Sequence, residues 1–238
     1  MIKHHPKFEL IQLFVNGDLP ASLSAGIAIH ADMCPKCQQQ IAQLTDQVAE
    51  ASFEGASLEA DSFEDVFLDR FTVDNNQALD NIEDVNFEAM IDQITQSDGI
   101  VESAPKIEKI VVFNNQSYTL PTALNNMSLG KTSHIGRLSR TRIQLNENEI
   151  HTSLLKIEPG GSVPEHTHKG FELTLLLEGS FNDEKGEYVK GDFIILDGSD
   201  QHRPVSVEGC LCYIVVNDAL HFTQGINKLL NLIGAFIY

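Results

Sequence analysis

Basic side chains are scarce. Sixteen Lys and Arg stand against 34 Asp and Glu, a formal charge of −18. Gripping a phosphate backbone needs clustered Lys and Arg, so no direct nucleic-acid contact is expected. Cysteine is scarce as well, and four in 238 residues are too few for a disulfide-stapled secreted scaffold. No apolar run reaches the roughly 18 residues that a membrane-spanning helix needs. The opening residues 1–9 show neither an apolar signal core nor a small-residue cleavage pattern. A cytoplasmic, soluble chain with no membrane partner is the expectation. Tryptophan is absent, yet 42% of residues are apolar, and this length suits two domains with at least one sizeable core.

The charge is unevenly spread. From Asp46 to Glu102 there are sixteen acidic residues and one basic one, Arg70, which accounts for −15 of the −18. Such a shift marks a boundary or a partner-facing segment. Before it, roughly residues 1–52 read as helices. Phe8, Ile11, Phe14 and Val15 recur at helical spacing, with Gly17 as a C-cap. Asp18 and Pro20 start a second helix through Leu23, Ile27 and His30, and Pro35 opens a third with Ile41, Leu44 and Val48 on one face. Within the acidic zone, Leu79, Ile82, Val85 and Ala89, continued by Met90, Ile91 and Ile94, predict an amphipathic helix over 76–96. That stripe suits docking on a partner, or packing on its own chain.

From about residue 105 the period changes. Residues 107–113, 150–157, 171–177, 192–196 and 210–216 are strand-like, punctuated by Gly, Pro, Asn or Asp. Short strands without intervening helices predict a barrel or jelly roll. The apolar tail 224–238 is too short to span a membrane and is expected to cover a barrel edge or a neighbour. The fold class is therefore α + β in two domains: a small helical domain over 1–98 and an all-β barrel over 105–238.

Two constellations carry metal chemistry. His30, Cys34 and Cys37 form H-x3-C-x2-C. Residues four apart share a helical face, and the two-residue gap folds Cys37 back toward the same point. Two thiolates and two imidazoles make a closed, neutral zinc site, with His4 or His5 as the fourth ligand. A redox CxxC pair is the alternative, but its usual βαβ setting is missing. The second constellation is Gly160-x5-His166-x-His168-x3-Glu172-x6-Gly179, with a later segment from Gly191 to His202. His166 and His168 project to one side of an extended segment, and strands from different parts of a barrel aim Glu172 and His202 at the same interior point. Three imidazoles and a carboxylate suit zinc or another divalent transition metal and leave room for a small ligand. His134, His151 and His221 have no such company and read as structural or solvated. Cys210 and Cys212 alternate on a strand and read as small core residues, poorly spaced for a disulfide.

The first barrel segment resembles the cupin motif at every fixed position. The second resembles it in part, with Asp197 where proline is usual and Ser206 where asparagine is usual. A zinc-binding helical module followed by a cupin barrel (double-stranded β-helix) resembles the ChrR-type zinc-containing anti-sigma factors. That resemblance implies zinc on His5, His30, Cys34 and Cys37, and a second metal, also zinc, on His166, His168, Glu172 and His202. It implies helices that bind an extracytoplasmic-function sigma factor, and a cupin needed for response to oxidative stress of the singlet-oxygen type. It implies no catalytic residues. A cupin-mediated homodimer stays open as a second partner. The alternative from another class is a metal-dependent cupin enzyme, a dioxygenase or isomerase, with an accessory zinc domain.

Overall fold

A computed structural model describes residues 1–55, 91–92, 95, 108–218 and 221–222. Met1–Glu50 and Ile107–Tyr238 form one compact unit, and Ala51–Lys106 form another. The helix expected over 76–96 lies outside the described residues except for Ile91, Asp92 and Thr95, which are helical. The expected boundary between 98 and 105 and the tail 224–238 lie outside them too. Among the described residues no helix is long and apolar enough to cross a membrane.

Helix α1 (Phe8–Asn16) stops at Gly17, whose φ of 78° is left-handed. The Gly17 and Asp18 N–H groups close back on the Phe14 and Leu13 carbonyls, which is why glycine stands there. Helix α2 (Ala21–Met33) begins after Pro20 and ends at an extended Cys34. Helix α3 (Pro35–Gly55) begins on the proline itself. A proline clashes with a helical residue before it, so Pro35 both ends α2 at Cys34 and starts α3.

The strands follow in order: β1 (Ile110–Phe113), β2 (Gln116–Thr119), β3 (Ser128–Ile135), β4 (Leu138–Gln144) and β5 (His151–Ile157). Then come β6 (Gly161–Ser162), β7 (His166–Thr167), β8 (Glu172–Asp183), β9 (Gly186–Val189) and β10 (Phe193–Leu196). The last are β11 (Gln201–His202), β12 (Val205–Ser206), β13 (Cys210–Val216) and β14 (His221–Phe222). The main sheet runs β3-β4-β5-β13-β8-β12-β6, with β9 and β10 also on β8. A smaller sheet runs β11-β7-β14, and β1-β2 is a separate hairpin. The pairings are antiparallel, and the sheets curl into the expected cupin fold.

Alternation gives the main sheet two working faces. One face carries Leu155, Ile157, Leu176, Ile194, Cys210 and Cys212, which pack together inside the barrel. The other carries Leu154, Leu173, Leu175, Leu211, Tyr213 and Val215, which pack under Ala25, Ile27 and Ile29 of α2 and under the β1-β2 hairpin. Tyr213 donates from its hydroxyl to the Ser22 carbonyl at 2.8 Å. The helices are therefore seated on the back of the barrel sheet. The strand expected to stop at Leu177 continues to Asp183. The β8-β13 register steps over Leu177, since Leu176 faces Cys212 and Glu178 faces Leu211. That bulge lets Phe181 rejoin the interior face.

Candidate metal centres

The helical constellation closes around one point. His5 Nδ1 lies 3.4 Å from Cys34 Sγ, 3.5 Å from Cys37 Sγ and 3.4 Å from His30 Nε2. His30 Nε2 lies 3.3 Å from Cys37 Sγ. Zinc bonds of about 2.0–2.3 Å to nitrogen and sulfur put tetrahedral donors about 3.3–3.8 Å apart, so these four separations fit a tetrahedral metal such as zinc. The local reason is the proline break: with α2 ended at Cys34, Cys37 arrives in the first turn of α3 beside the end of α2. The choice left open between His4 and His5 falls to His5. The His4 ring stacks on Tyr188 instead, with centroids 4.9 Å apart.

The barrel supplies the outer support of this cluster. His30 donates from Nδ1 to the Gly191 carbonyl at 2.7 Å, which leaves Nε2 as the lone-pair atom facing the thiols. Asp192 is fully buried. Its carboxylate accepts from the Lys3, His4 and Val189 N–H groups, while the Phe193 N–H donates to the His4 carbonyl. The segment that carries His5 is thus pinned to the start of β10. Burial lowers the His30 pKa, and burial followed by Lys36 lowers that of His5. Burial, helped by the Cys34 hydrogen bond, pushes the Cys37 thiol up to about 11.

The second constellation closes as well. His202 Nε2 lies 2.9 Å from His166 Nε2 and 3.4 Å from His168 Nε2. His168 Nδ1 is 3.7 Å from Glu172 Oε2. His166 comes from β7, Glu172 from the first position of β8, and His202 from β11, which pairs with β7 so that His202 faces His166. All four side chains are buried. Second partners hold them: His166 Nδ1 to the Pro164 carbonyl at 2.8 Å, His202 Nδ1 to Asp183 at 3.4 Å, and Thr174 donating to Glu172 at 2.8 Å. Three imidazole nitrogens and a carboxylate oxygen gathered this closely fit a divalent transition metal. Burial lowers His168 to about 4, and burial with His166 and His168 lowers His202 to about 3. Burial also lowers His166 and raises Glu172. In each cluster the donor atoms lie within 4.8 Å of one another.

Residues 136–219 match the family model described as the ChrR cupin-like domain. That part of the chain is similar to the ChrR cupin-like domain. The anti-sigma-E factor ChrR of Cereibacter sphaeroides is 41% identical over 78 residues, which cover 32% of this chain and 37% of that protein. The aligned stretch therefore spans little more than a third of that relative. A crystal structure of Rhodobacter sphaeroides SigE in complex with the anti-sigma ChrR covers 91% of this chain and 99% of its own, at 22% identity and a TM-score of 0.57. This likeness is one of fold, and it takes in helices and barrel together. An RmlC-like cupin of Ralstonia eutropha covers 47% of this chain and 84% of its own, at 17% identity and a TM-score of 0.36.

The two motif departures have local explanations. Asp197 replaces a proline-built turn with side-chain bonds: it accepts from the Ser199 N–H at 2.8 Å and the Ser199 hydroxyl at 2.6 Å. Ser206 is buried and donates to the Ser180 carbonyl. Neither belongs to the barrel cluster. His134 bonds Ser139 at 2.7 Å, away from both clusters. Cys210 and Cys212 sit in the interior core with sulfurs 3.9 Å apart. The Cys210 hydrogen bond and complete burial hold the Cys212 thiol well above its usual value.

A pocket opens beside the barrel cluster, with about 40 Å³ of free space. His166, Glu172 and His202 form one side, and Leu155, Phe181 and Val216 are among its apolar walls. Three supporting residues, Asp183, Thr174 and Asp192, and the pocket-lining Arg140 carried no motif signal. Asp192 follows Gly191 in the second cupin segment, but its partners lie 188 and 189 positions away, beyond any local pattern.

Proposed function

We propose that this chain is a ChrR-type anti-sigma factor: it binds an extracytoplasmic-function sigma factor and holds it away from RNA polymerase in the cytoplasm. The carrying observation is the presence, in one chain, of the closed His5-His30-Cys34-Cys37 cluster and a region similar to the ChrR cupin-like domain. Zinc bound at the helical cluster supplies a cross-link that a three-helix unit with a small core needs. The chain's own residues do the rest. Ile11 packs on Cys34 and Cys37, with Ile2, Ile41 and Leu44 around them. That fixes α1 against α3. Phe8 and Leu13 of α1 and Val48 of α3 remain 47%, 41% and 40% exposed. These apolar side chains, rather than the barrel-covered face of α2, are the surface offered to the sigma factor.

The second half of the proposal concerns release. The barrel cluster is the sensory centre, and oxidative stress acting there ends with the sigma factor freed. Alanine at His166 and His168 should leave sigma binding intact and block release, and normal release by that variant would remove the cluster from the signal path. Co-expression with sigma factors of the same organism, followed by co-purification, tests the binding half. Failure to retain any of them would refute it.

A metal-dependent cupin enzyme is the second reading, favoured by the pocket beside the barrel cluster. Iron in the barrel with oxygen consumption would support it. Two zincs per chain without turnover would support the regulator.

A further inference from the structure

The outer supports of the two clusters lie on one short stretch of chain. Asp183, which holds the barrel residue His202, ends β8, and Asp192, which holds the segment carrying His5, directly precedes β10. Only β9 and its turns separate them. The Asp183 carboxylate closes the β8-β9 turn by accepting from the Lys185 and Gly186 N–H groups at 2.8 and 3.2 Å. Its side chain is 1% exposed. Against a carboxylate, His202 Nδ1 is the donor, which leaves Nε2 as the lone-pair atom facing His166 and His168. At the other end of the stretch, Val189 of β9 donates its N–H to Asp192 at 2.8 Å.

Tyr188 joins the two ends. Its hydroxyl donates to Asp183. Its buried ring meets Phe181 and His4, with centroids 4.9 Å away in each case. His4 is held at three points: its ring by Tyr188, its N–H by Asp192 and its carbonyl by the Phe193 N–H. His5 is the next residue in the chain. An unbroken series of contacts therefore runs from His202 through Asp183, Tyr188 and His4 to His5.

We propose that the Asp183–Asp192 stretch couples the two clusters, so that the helical cluster binds its metal more tightly when the barrel cluster is loaded. Tyr188 is the positioning residue that carries the effect. This rests on the reading of both clusters as metal sites and deepens it, by giving the barrel a means of regulating the helical one. With Nε2 of His202 ligated, the ring that Asp183 grips is fixed, and a fixed Asp183 holds Tyr188 against His4. Coupling between sites is typically about 5–150-fold and acts equally in both directions. Structural zinc sites bind tightly enough to stay filled through a change of about fivefold, so emptying the barrel does not by itself empty the helical cluster.

The test is chelator competition for zinc at each cluster of the full-length protein, with the barrel loaded and with it emptied by His166→Ala and His168→Ala. Helical zinc should bind at least about fivefold more weakly in the emptied protein. By reciprocity, Cys34→Ser with Cys37→Ser should weaken barrel zinc by a matching factor. Tyr188→Phe keeps the ring and removes the hydroxyl, and His4→Ala removes the ring contact at an exposed residue. In each, the difference between loaded and emptied protein should shrink to within about twofold. Mere destabilisation by either variant would weaken zinc at both clusters and leave that difference unchanged. Zinc affinity at either cluster that ignores the state of the other, within about twofold, overturns the inference. So does full coupling retained in both Tyr188→Phe and His4→Ala. A wild-type barrel that binds no zinc would overturn the metal reading, and the coupling with it.

Discussion

Single residues carry much of what places the two clusters. Gly179, the last fixed position of the first cupin segment, has φ +76°, and a Cβ there would sit 2.1 Å from the Gly209 carbonyl oxygen. Both the backbone conformation and the space require glycine. Gly179→Ala should destabilise the fold by on the order of 2 kcal/mol or more, read as a drop in the midpoint of thermal unfolding. An unchanged midpoint would mean that β8 and β13 are not packed this closely. Leu173 is fully buried between the sheet and α2. Leu173→Ala should cost about 2–5 kcal/mol by the same measurement, and a loss below 1 kcal/mol would show that α2 does not cover that face.

The two candidate clusters are legible in the sequence because each set is compact there. H-x3-C-P-x-C folds on itself through one proline, and His166, His168 and Glu172 fall within one turn and two strand ends. Only His5 and His202 come from a distance. The His4 or His5 choice needed the packing of Tyr188 and Asp192 to decide it. Arg140 was illegible for a different reason. Ser139, Arg140 and Thr141 are all buried in β4, so hydropathy gives no strand signal there. The β3-β4 hairpin was accordingly not expected, whereas β13, with Cys210–Val216 apolar throughout, was read to the residue.

At the scale of elements, the decisive contact is between the N-terminal segment and the start of β10. Lys3 and His4 are held by the Asp192 carboxylate, and His30 by the Gly191 carbonyl. The barrel therefore shapes the helical cluster from outside. Outer partners of metal ligands are worth roughly 10–100-fold in affinity. Asp192→Ala should lower metal affinity at the helical cluster by about that factor while the barrel metal stays bound, measured by chelator competition on each site. Equal loss from both sites would point to general unfolding, and no loss from either would contradict the pinning role. Tyr213→Phe removes the bond to the Ser22 carbonyl and should cost about 1 kcal/mol of stability.

At the scale of the whole molecule, negative charge is concentrated in one part of the chain. The stretch from Asp46 to Glu102 holds most of the net negative charge. If it draws a sigma factor by its basic DNA-facing surface, the association rate should fall as salt rises, with little change in dissociation. A flat salt profile would reject steering and leave the docking surface untouched. The central claim is narrower: the helical metal cluster builds the surface that captures the sigma factor. Its most direct test is metal content and sigma-factor affinity measured side by side for the wild-type protein and for Cys34→Ser with Cys37→Ser. The account predicts that the variant keeps the barrel metal, loses the helical one and no longer retains the sigma factor. A variant without the helical metal that still binds the sigma factor at wild-type affinity would contradict it.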